Sequence, residues 1–569
     1  MDKTLSFFRL PKLMILCLLS HASFSQQWNW VSGDSTLYAE GNYTSYWSNE
    51  ELATPGSRDG SATWTDDEGN LWLFGGFGSD INNELGYLGD LWKFDVATNK
   101  WMLVGGTTTR NTSSAFGLKG VPAASNMPSG RYLSLAWKDL SGNFWLYGGV
   151  ENLQDNTFNL GVGTADLWKY DPVNGLWTFV KGRTEYVTDP PDLDLCYGTM
   201  GVEATSNDPL PRSTQNNPTW TDDQGRLWFF NEGEVWRYNI ATNCWTWMNG
   251  GTLQNGVFTA PHSRYGTKGI PDQQNHPGVR YYPAVFKGQD GNLWLYGGHY
   301  TGPQNDLDSW GFHNDTWKYD LTANTWTWMH GDSTVNELAT MGTIGQGTPF
   351  TNPGGRGGAS GWVDTAGDFW MFGGRLKIKQ GTDYYPFFRN DLWKYSPALN
   401  QWTWMKESGQ YSQPGLYGTK LIPADQNTPH SRYEASRWTN SQGFWIFGGN
   451  TLPGQQGYMN DLWCFGCDTL KIAAVETALV MPNVFSPNND GVNDLFIPST
   501  ANGYEIDELL IFNRWGEQIF RSDDETKSWN GTINGEATAD GVYFWKIAAS
   551  HYTGNQVTQF GFVSVFQGH

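Results

Sequence analysis

A unit that recurs six times constrains this chain more than any other feature. Its copies open at Arg58, Arg131, Arg212, Arg280, Arg356 and Arg432, at spacings of 73, 81, 68, 76 and 76 residues, a regularity that belongs to repeat architectures. An aromatic residue follows each arginine, at Trp64, Trp137, Trp220, Phe286, Trp362 and Trp438, and a short turn leads to Trp72, Trp145, Trp228, Trp294, Trp370 or Trp445. In five units the second strand ends in a glycine pair, at Gly75-Gly76, Gly148-Gly149, Gly297-Gly298, Gly373-Gly374 and Gly448-Gly449, where the third unit has Asn231-Glu232. A third strand carries Trp92, Trp168, Trp236, Trp317, Trp393 or Trp463, and the first five units add a fourth with Trp101, Trp177, Trp245, Trp326 or Trp402. Each unit therefore predicts a four-stranded antiparallel sheet. Faces this aromatic need neighbouring sheets to cover them, in a closed ring or a linear stack.

The sixth unit has no fourth strand after Asp461-Leu462-Trp463, while Gln27-Trp28-Asn29-Trp30-Val31 has the fourth-strand pattern and no first three strands before it. Pairing the two closes a ring and removes the edges a stack would expose. The expected fold is all-β: a six-bladed β-propeller closed by an N-terminal strand, followed by a small C-terminal β-sandwich. The expected boundaries are a signal peptide over 1–25, the propeller over 26–467, a linker over 468–480 and the sandwich over 481–569. Lys3, Arg9 and Lys12 precede an apolar run too short to span a bilayer, and Ser23 and Ser25 suit a cleavage site. No later segment is long and apolar enough to cross a membrane. The chain is thus expected to be secreted, extracellular or on the outer cell surface, with no integral membrane segment when mature. Its 32 Trp, 26 Tyr, 31 Phe and 69 Gly suit short strands and turns, and a net charge of -21 argues against nucleic acid as a partner.

The glycine pairs, aromatic strands and closing strand resemble the kelch family of β-propellers over residues 27–466, with units longer than the usual roughly 50 residues of that repeat. The resemblance implies a shape and not a chemistry. With strands numbered outward from the axis, the one-to-two and three-to-four turns are tight, as in Asp139-Leu140-Ser141-Gly142. The two-to-three loops, such as 299–314 and 375–390, and the links between blades, such as 251–279, gather on the other rim. Long loops on a rigid scaffold commonly carry binding groups. Tyr300, Trp310, Tyr384 and Tyr385 are the ligand-binding candidates there, with flat faces suited to a polysaccharide or an envelope protein. The six arginines admit two readings. A ring of guanidinium groups at the channel mouth would hold carboxylate, sulfate or phosphate; a blade-to-blade bond repeated six times would be purely structural. The alternative to a binding protein is a secreted carbohydrate-active propeller, a sugar oxidase or a sialic-acid-processing enzyme, and only the fold resembles those. Histidines are sparse, and neither a nucleophile elbow nor a phosphate loop is present, so no catalytic residue is expected.

The mature cysteines, Cys196, Cys244, Cys464 and Cys467, allow three complete pairings. Cys464 and Cys467 are spaced for a local clasp where the last blade hands over to the tail, and a bridge between Cys196 and Cys244 would brace the atypical third blade. The tail carries Pro482-Asn483-Val484-Phe485-Ser486-Pro487-Asn488-Asn489-Asp490-Gly491-Val492-Asn493-Asp494, then Ile511-Phe512-Asn513-Arg514-Trp515-Gly516-Glu517, Trp529-Asn530-Gly531 and Asp540-Gly541-Val542-Tyr543-Phe544. These four motifs resemble the gliding-motility-associated, type B C-terminal domain used by the type IX secretion system of Bacteroidota. The resemblance implies passage across the outer membrane by the type IX secretion machinery, with Phe485, Asp490, Gly491, Asn493, Asp494, Arg514, Trp515 and Gly516 as the domain signature. Asn488, Asp490 and Asp494 also offer oxygens suited to calcium, the one cofactor considered, without the spacing of a full helix-loop-helix site.

Overall fold

The computed structural model describes residues 27–43, 46, 53–152, 161–184, 196–209, 219–254, 257–300, 311–380, 383–406, 410–451, 457–467, 481–488, 493–497, 504–522, 528–551 and 556–567. The expected signal peptide (1–25) and linker (468–480) lie outside them. The chain divides into two units, 1–470 and 471–569.

The first unit is a six-bladed β-propeller. Blade 1 runs Ala62–Thr65, Leu71–Ser79, Leu85–Asp95 and Lys100–Thr107. Blade 2 follows with Leu135–Lys138, Phe144–Tyr147, Leu167–Asp171 and Leu176–Lys181. Blade 3 has Thr219–Thr221, Leu227–Asn231, Glu234–Asn239 and Cys244–Asn249. Blade 4 has Ala284–Lys287, Leu293–Tyr296, Thr316–Asp320 and Thr325–His330. Blade 5 has Ser360–Val363, Phe369–Gln380, Asp383–Ser396 and Gln401–Lys406. Blade 6 has Ser436–Asn440, Gly443–Phe447 and Leu462–Phe465, and its fourth strand is Trp28–Ser32 from the start of the chain.

Pairing of Trp28 with Phe465, Asn29 with Cys464 and Trp30 with Trp463 fixes the closing strand. Trp28 also bridges to Ala424 of the preceding link, as Trp326 does to Asp272 and Trp402 to Thr348, so the N-terminal strand occupies a full fourth-strand position. Aromatic faces explain why the sheets assemble. The buried side chains form clusters that each join two successive blades: 1 with 2, 2 with 3, 3 with 4, 4 with 5, 5 with 6, and 6 with 1. Burying such surface is the main favourable term in folding. First-strand tryptophans add directional bonds between blades. The indole of Trp64 donates to the Trp137 carbonyl at 2.9 Å, that of Trp137 to Trp228 at 2.7 Å, and that of Trp438 to Trp72 at 2.9 Å.

The second unit is a small β-sandwich. Its five-stranded sheet is ordered Val484–Phe485, Gln556–Val565, Gly541–His551, Tyr504–Phe512 and Gln518–Ser522. Phe496 and Trp529, joined by a bridge, and the two-stranded Thr532–Ile533 and Glu536–Ala537 belong to the rest of the unit, with Trp529 packed on Phe485 and Tyr543 at 5.4 Å from each. Strand alternation sends Trp545 and Ile547 into this core and leaves Phe544, Phe560 and Phe562 exposed on the opposite face.

Cys464 and Cys467 are joined by a disulfide with Cα atoms 5.9 Å apart. The expected bridge between Cys196 and Cys244 does not form; both side chains are buried thiols. Cys244 begins a fourth strand at the tight-turn rim, where its thiol donates to the Thr242 carbonyl at 3.2 Å. Cys196 lies in a link on the opposite rim and accepts from the Arg183 guanidinium at 3.3 Å.

Trp28 is fully buried between blades 5 and 6. Replacing it with alanine is expected to lower stability by about 3–5 kcal/mol, the range for a buried large aromatic, in chemical denaturation of the exported chain. Unchanged stability would contradict closure by this strand.

Candidate functional site

The unit-opening arginines are internal. Arg58, Arg131, Arg280, Arg356 and Arg432 are at most 1% exposed, and Arg212 lies outside the described residues. Each guanidinium grips the aspartate that stands two residues before the third-strand tryptophan: Arg58 to Asp90 at 2.6 Å, Arg131 to Asp166 at 2.7 Å, Arg280 to Asp315 at 2.7 Å, Arg356 to Asp391 at 2.6 Å and Arg432 to Asp461 at 2.7 Å. It also donates to the carbonyl of the first glycine in each pair. The tryptophan indole donates to the same aspartate, as Trp92 does to Asp90 and Trp317 to Asp315, both at 2.7 Å. In three blades a tyrosine from the link completes the set: Tyr43 on Asp90, Tyr265 on Asp315 and Tyr417 on Asp461. Burial alone would raise the carboxyl pKa values of Asp166, Asp315, Asp391 and Asp461, but the adjacent guanidinium holds them below the ordinary range. These arginines are therefore unavailable to a ligand, which corrects the expectation of an anion-binding ring. Nor do their side chains bond blade to blade; each bond stays within its blade. The contact between blades passes through the arginine backbone instead, with Gly449 N donating to Arg58 O at 2.8 Å and Gly298 N to Arg356 O at 2.9 Å.

The mouth of the channel lies just beyond. Two residues after each arginine the chain turns through positive φ, at Gly60, Leu133, Tyr282, Gly358 and Glu434. Leu133 N bonds Gly60 O at 2.7 Å, Gly60 N bonds Glu434 O at 3.3 Å, Glu434 N bonds Gly358 O at 2.9 Å and Gly358 N bonds Tyr282 O at 2.8 Å. This necklace brings together two carboxyl groups to which the sequence alone did not point. Asp59 is 4% exposed and Glu434 3%. Burial pushes the Asp59 carboxyl up to about 7, against the pull of a hydrogen bond from Asn450. Burial and then the Asp59 charge push Glu434 well above the carboxylate range, opposed by Arg375 and by a hydrogen bond with Tyr282. Phe77 packs on Tyr87, Tyr132 and Tyr458 beside this pair, at 5.4, 6.1 and 5.8 Å between ring centroids. The signal was present in the sequence as the acidic residues of Arg58-Asp59-Gly60 and Arg432-Tyr433-Glu434, where another unit has Arg356-Gly357-Gly358.

Two of the aromatic candidates do converge. Tyr300 and Tyr384 line a cavity of about 680 Å³ on the long-loop rim, together with His262, Ser263, His313 and Ser333 to Glu337. Tyr300 comes from the two-to-three loop of blade 4, and Tyr384 from the long hairpin of blade 5. Lys377 and Lys379 hold the Tyr384 ring, with ammonium groups 4.4 and 5.6 Å from its centroid. Burial and then the Arg280 charge lower the His313 pKa to about 4, so its ring is neutral near pH 7. Tyr385, one residue on, alternates to the other face of the hairpin and is 46% exposed. It does not line the cavity. Trp310 lies outside the described residues.

In the tail, Phe485 is buried in the sandwich core. Asn493 has positive φ, and its carbonyl accepts from Ser486 N at 3.0 Å. Asn513 Oδ1 accepts from Trp515 N at 3.0 Å, and Gly516 N donates to Asn513 O at 3.0 Å, closing a tight turn. Arg514 lies over the Trp515 ring, which is 79% exposed. Asp490 and Gly491 lie outside the described residues, and so does the centre of the calcium candidate between Asn488 and Asp494. No group of three His, Cys, Asp or Glu side chains is arranged for a metal among the described residues.

The carboxyl pair makes a testable statement about pH. A carboxyl that holds its proton more tightly in the folded than in the unfolded chain stabilises at low pH, and that contribution is lost as pH rises through the folded pKa. Stability in chelator-treated buffer is expected to fall from about pH 4 to above pH 7, and Asp59→Asn to reduce the fall in melting experiments across that range. A variant with the wild-type profile would contradict this placement.

A search of the curated proteins finds no match. Among solved structures, the chain is similar to one described as the structure of YjhT, with 12% identity, 72% of this chain and 95% of that chain covered and a TM-score of 0.41. It is also similar to a fungal alcohol oxidase of the AA5 family in complex with copper, with 14% identity, 89% and 97% covered and a TM-score of 0.37. Residues 479–565 match the family described as CHU_C, Type IX secretion signal domain, so the C-terminal unit of this chain is a type IX secretion signal domain and marks it for export toward the cell surface or the medium.

Proposed function

We propose that this protein is an exported binding protein whose kelch-type propeller takes carbohydrate in the cavity between the loops of blades 4 and 5. The supporting observation is the composition of that cavity. Tyr300 and Tyr384 supply apolar ring faces, while Ser263, Ser333, Thr334, Asn336, Glu337 and His262 supply donors and acceptors around them. Sugars present flat C–H faces and hydroxyl edges, which this mixture complements. A volume of about 680 Å³ falls within the roughly 300–1,000 Å³ of small-ligand sites and admits a short stretch of a polysaccharide. The long-loop rim carries recognition, and the secretion signal domain delivers it; an envelope protein is the competing ligand class.

Glycan-array screening of the exported chain, followed by calorimetry with the glycan it selects, tests this reading. A Tyr300→Ala, Tyr384→Ala double variant is expected to lose at least about tenfold in affinity, or roughly 1.4 kcal/mol, with unchanged melting. Tyr385→Ala, off the cavity, is expected to bind as wild type. Binding of an envelope protein and of no glycan would overturn the ligand class. Deleting 481–569 is expected to abolish delivery of the propeller to the surface or the medium, measured by fractionation; undiminished export would overturn the delivery role.

A further inference from the structure

We propose that Asp59, Glu434 and Asn450 form a binding site for a hard divalent cation of the calcium class at the seam where blade 6 meets blade 1. Three short backbone segments make the site. Arg58–Asp59 pairs with Gly78 and Phe77, and Asn450 pairs with Tyr433. Gly60 N donates to Glu434 O at 3.3 Å and Gly449 N to Arg58 O at 2.8 Å. Residues 58–60, 432–434 and 449–450 are thus one hydrogen-bonded patch, and its side chains are fixed by main-chain geometry rather than by loop conformation.

Asp59, Glu434 and Asn450 are 4%, 3% and 1% exposed. The Asn450 amide donates to the Asp59 carboxyl, and the Tyr282 hydroxyl is bonded to Glu434. Asp59 Oδ1, Glu434 Oε1 and Asn450 Oδ1 are left buried with no donor. Buried acceptors in folded proteins are usually satisfied, and here three, two of them on mutually repelling carboxyls, gather at one seam. A proton shared by the pair would satisfy one acceptor; a cation satisfies all three and cancels the repulsion. Arg375 lies over the Tyr433 ring at 5.8 Å and makes no ion pair with either carboxyl among the described residues. Tyr132, Tyr433 and Tyr458 surround the pair, and burial and then the two carboxyl charges raise the pKa values of their hydroxyls, which remain neutral and suited to an electropositive guest.

An all-oxygen donor set with two carboxylates and an amide carbonyl, and with neither nitrogen nor sulfur, selects calcium over transition metals. Calcium accepts six to eight oxygens in irregular arrangements, so water completes the shell. Bound there, it would join Asp59 of blade 1 to Glu434 and Asn450 of blade 6, beside the junction that the separate N-terminal strand closes. Extracellular calcium sites commonly have Kd values of about 10⁻⁴–10⁻³ M, so this one would load after export.

Thermal melting of the full exported chain, freed of metal with chelator and then titrated with calcium chloride at pH 8, tests the proposal. Calcium is expected to raise Tm by about 2–5 °C, and by less at pH 5, where protons occupy the pair. An Asp59→Asn, Glu434→Gln double variant is expected to lose the response and to melt in chelator no lower than wild type, because the repulsion is gone. Asp490→Asn, in the tail, is expected to respond as wild type, which separates the two candidate sites. Terbium luminescence sensitised by the surrounding tyrosines, displaced by calcium in Asp490→Asn, reads binding directly should the double variant not fold. Identical melting of wild type in calcium and chelator, with no displaceable terbium signal, would overturn the proposal and leave a shared proton. So would a calcium response that survives in the double variant.

Discussion

Among the described residues, five of the six blades are each organised around one buried ion pair between the arginine that opens the unit and an aspartate at the start of its third strand. Isolated buried charges are costly, and removing one partner of such a pair typically costs about 3–5 kcal/mol. In blade 1 the aspartate accepts from guanidinium, indole and tyrosine hydroxyl, and the guanidinium donates to carboxylate and to the Gly75 and Gly56 carbonyls. The glycine pair belongs to the same construction. Gly75 and Gly76 have φ of 66° and 103°, and a Cβ at Gly75 would stand 2.5 Å from the Arg131 carbonyl of the next blade. The bend presents the Gly75 carbonyl to the guanidinium and lets the next blade's backbone approach. Folding within a blade and packing between blades are thus set by the same few atoms.

With that framework buried, specificity is left to what the loops add. Much of the tight-turn rim is also committed: Asp66, Asp139, Asp222 and Asp364 accept from second-strand indoles, Lys93 and Lys394 lie over two of those rings, and Lys318 lies over that of Trp294. On the other rim the links repeat a structural device, since Asn126, Asn207, Asn275 and Asn427 each bond a fourth-strand carbonyl, the last being that of Trp28. Only the two-to-three loops differ freely from blade to blade. The long hairpin of blade 5 is one of them, and the cavity joins Tyr300 and Tyr384 from two of them to link residues His262, Ser263 and 333–337.

Architecture was legible in the sequence because it is written in spacing: tryptophans at fixed offsets, glycine pairs, and a fourth-strand pattern stranded at the N-terminus. The partner of each of the five described arginines was also written there, as the aspartate of Asp90-Leu91-Trp92 and its counterparts, 29 to 35 residues downstream. That reading needs the strand order, since only the sheet brings the third strand beside the first. Tyr385 was indistinguishable from Tyr384 because which face of a hairpin looks into a cavity depends on register. Cys196 and Cys244 looked like partners because they flank or belong to the third unit, whereas the three strands between them leave one at each rim. Asp59 and Glu434 are adjacent only because the ring closes, so 375 residues of chain separate groups that share one seam.

The claim that the arginine ring is framework is tested most directly by thermal melting of Arg280→Lys. Lysine keeps the charge and loses the planar fork that grips Asp315 and the Gly297 carbonyl together. A clear fall in Tm is predicted; a Tm equal to that of the unaltered protein would contradict the account.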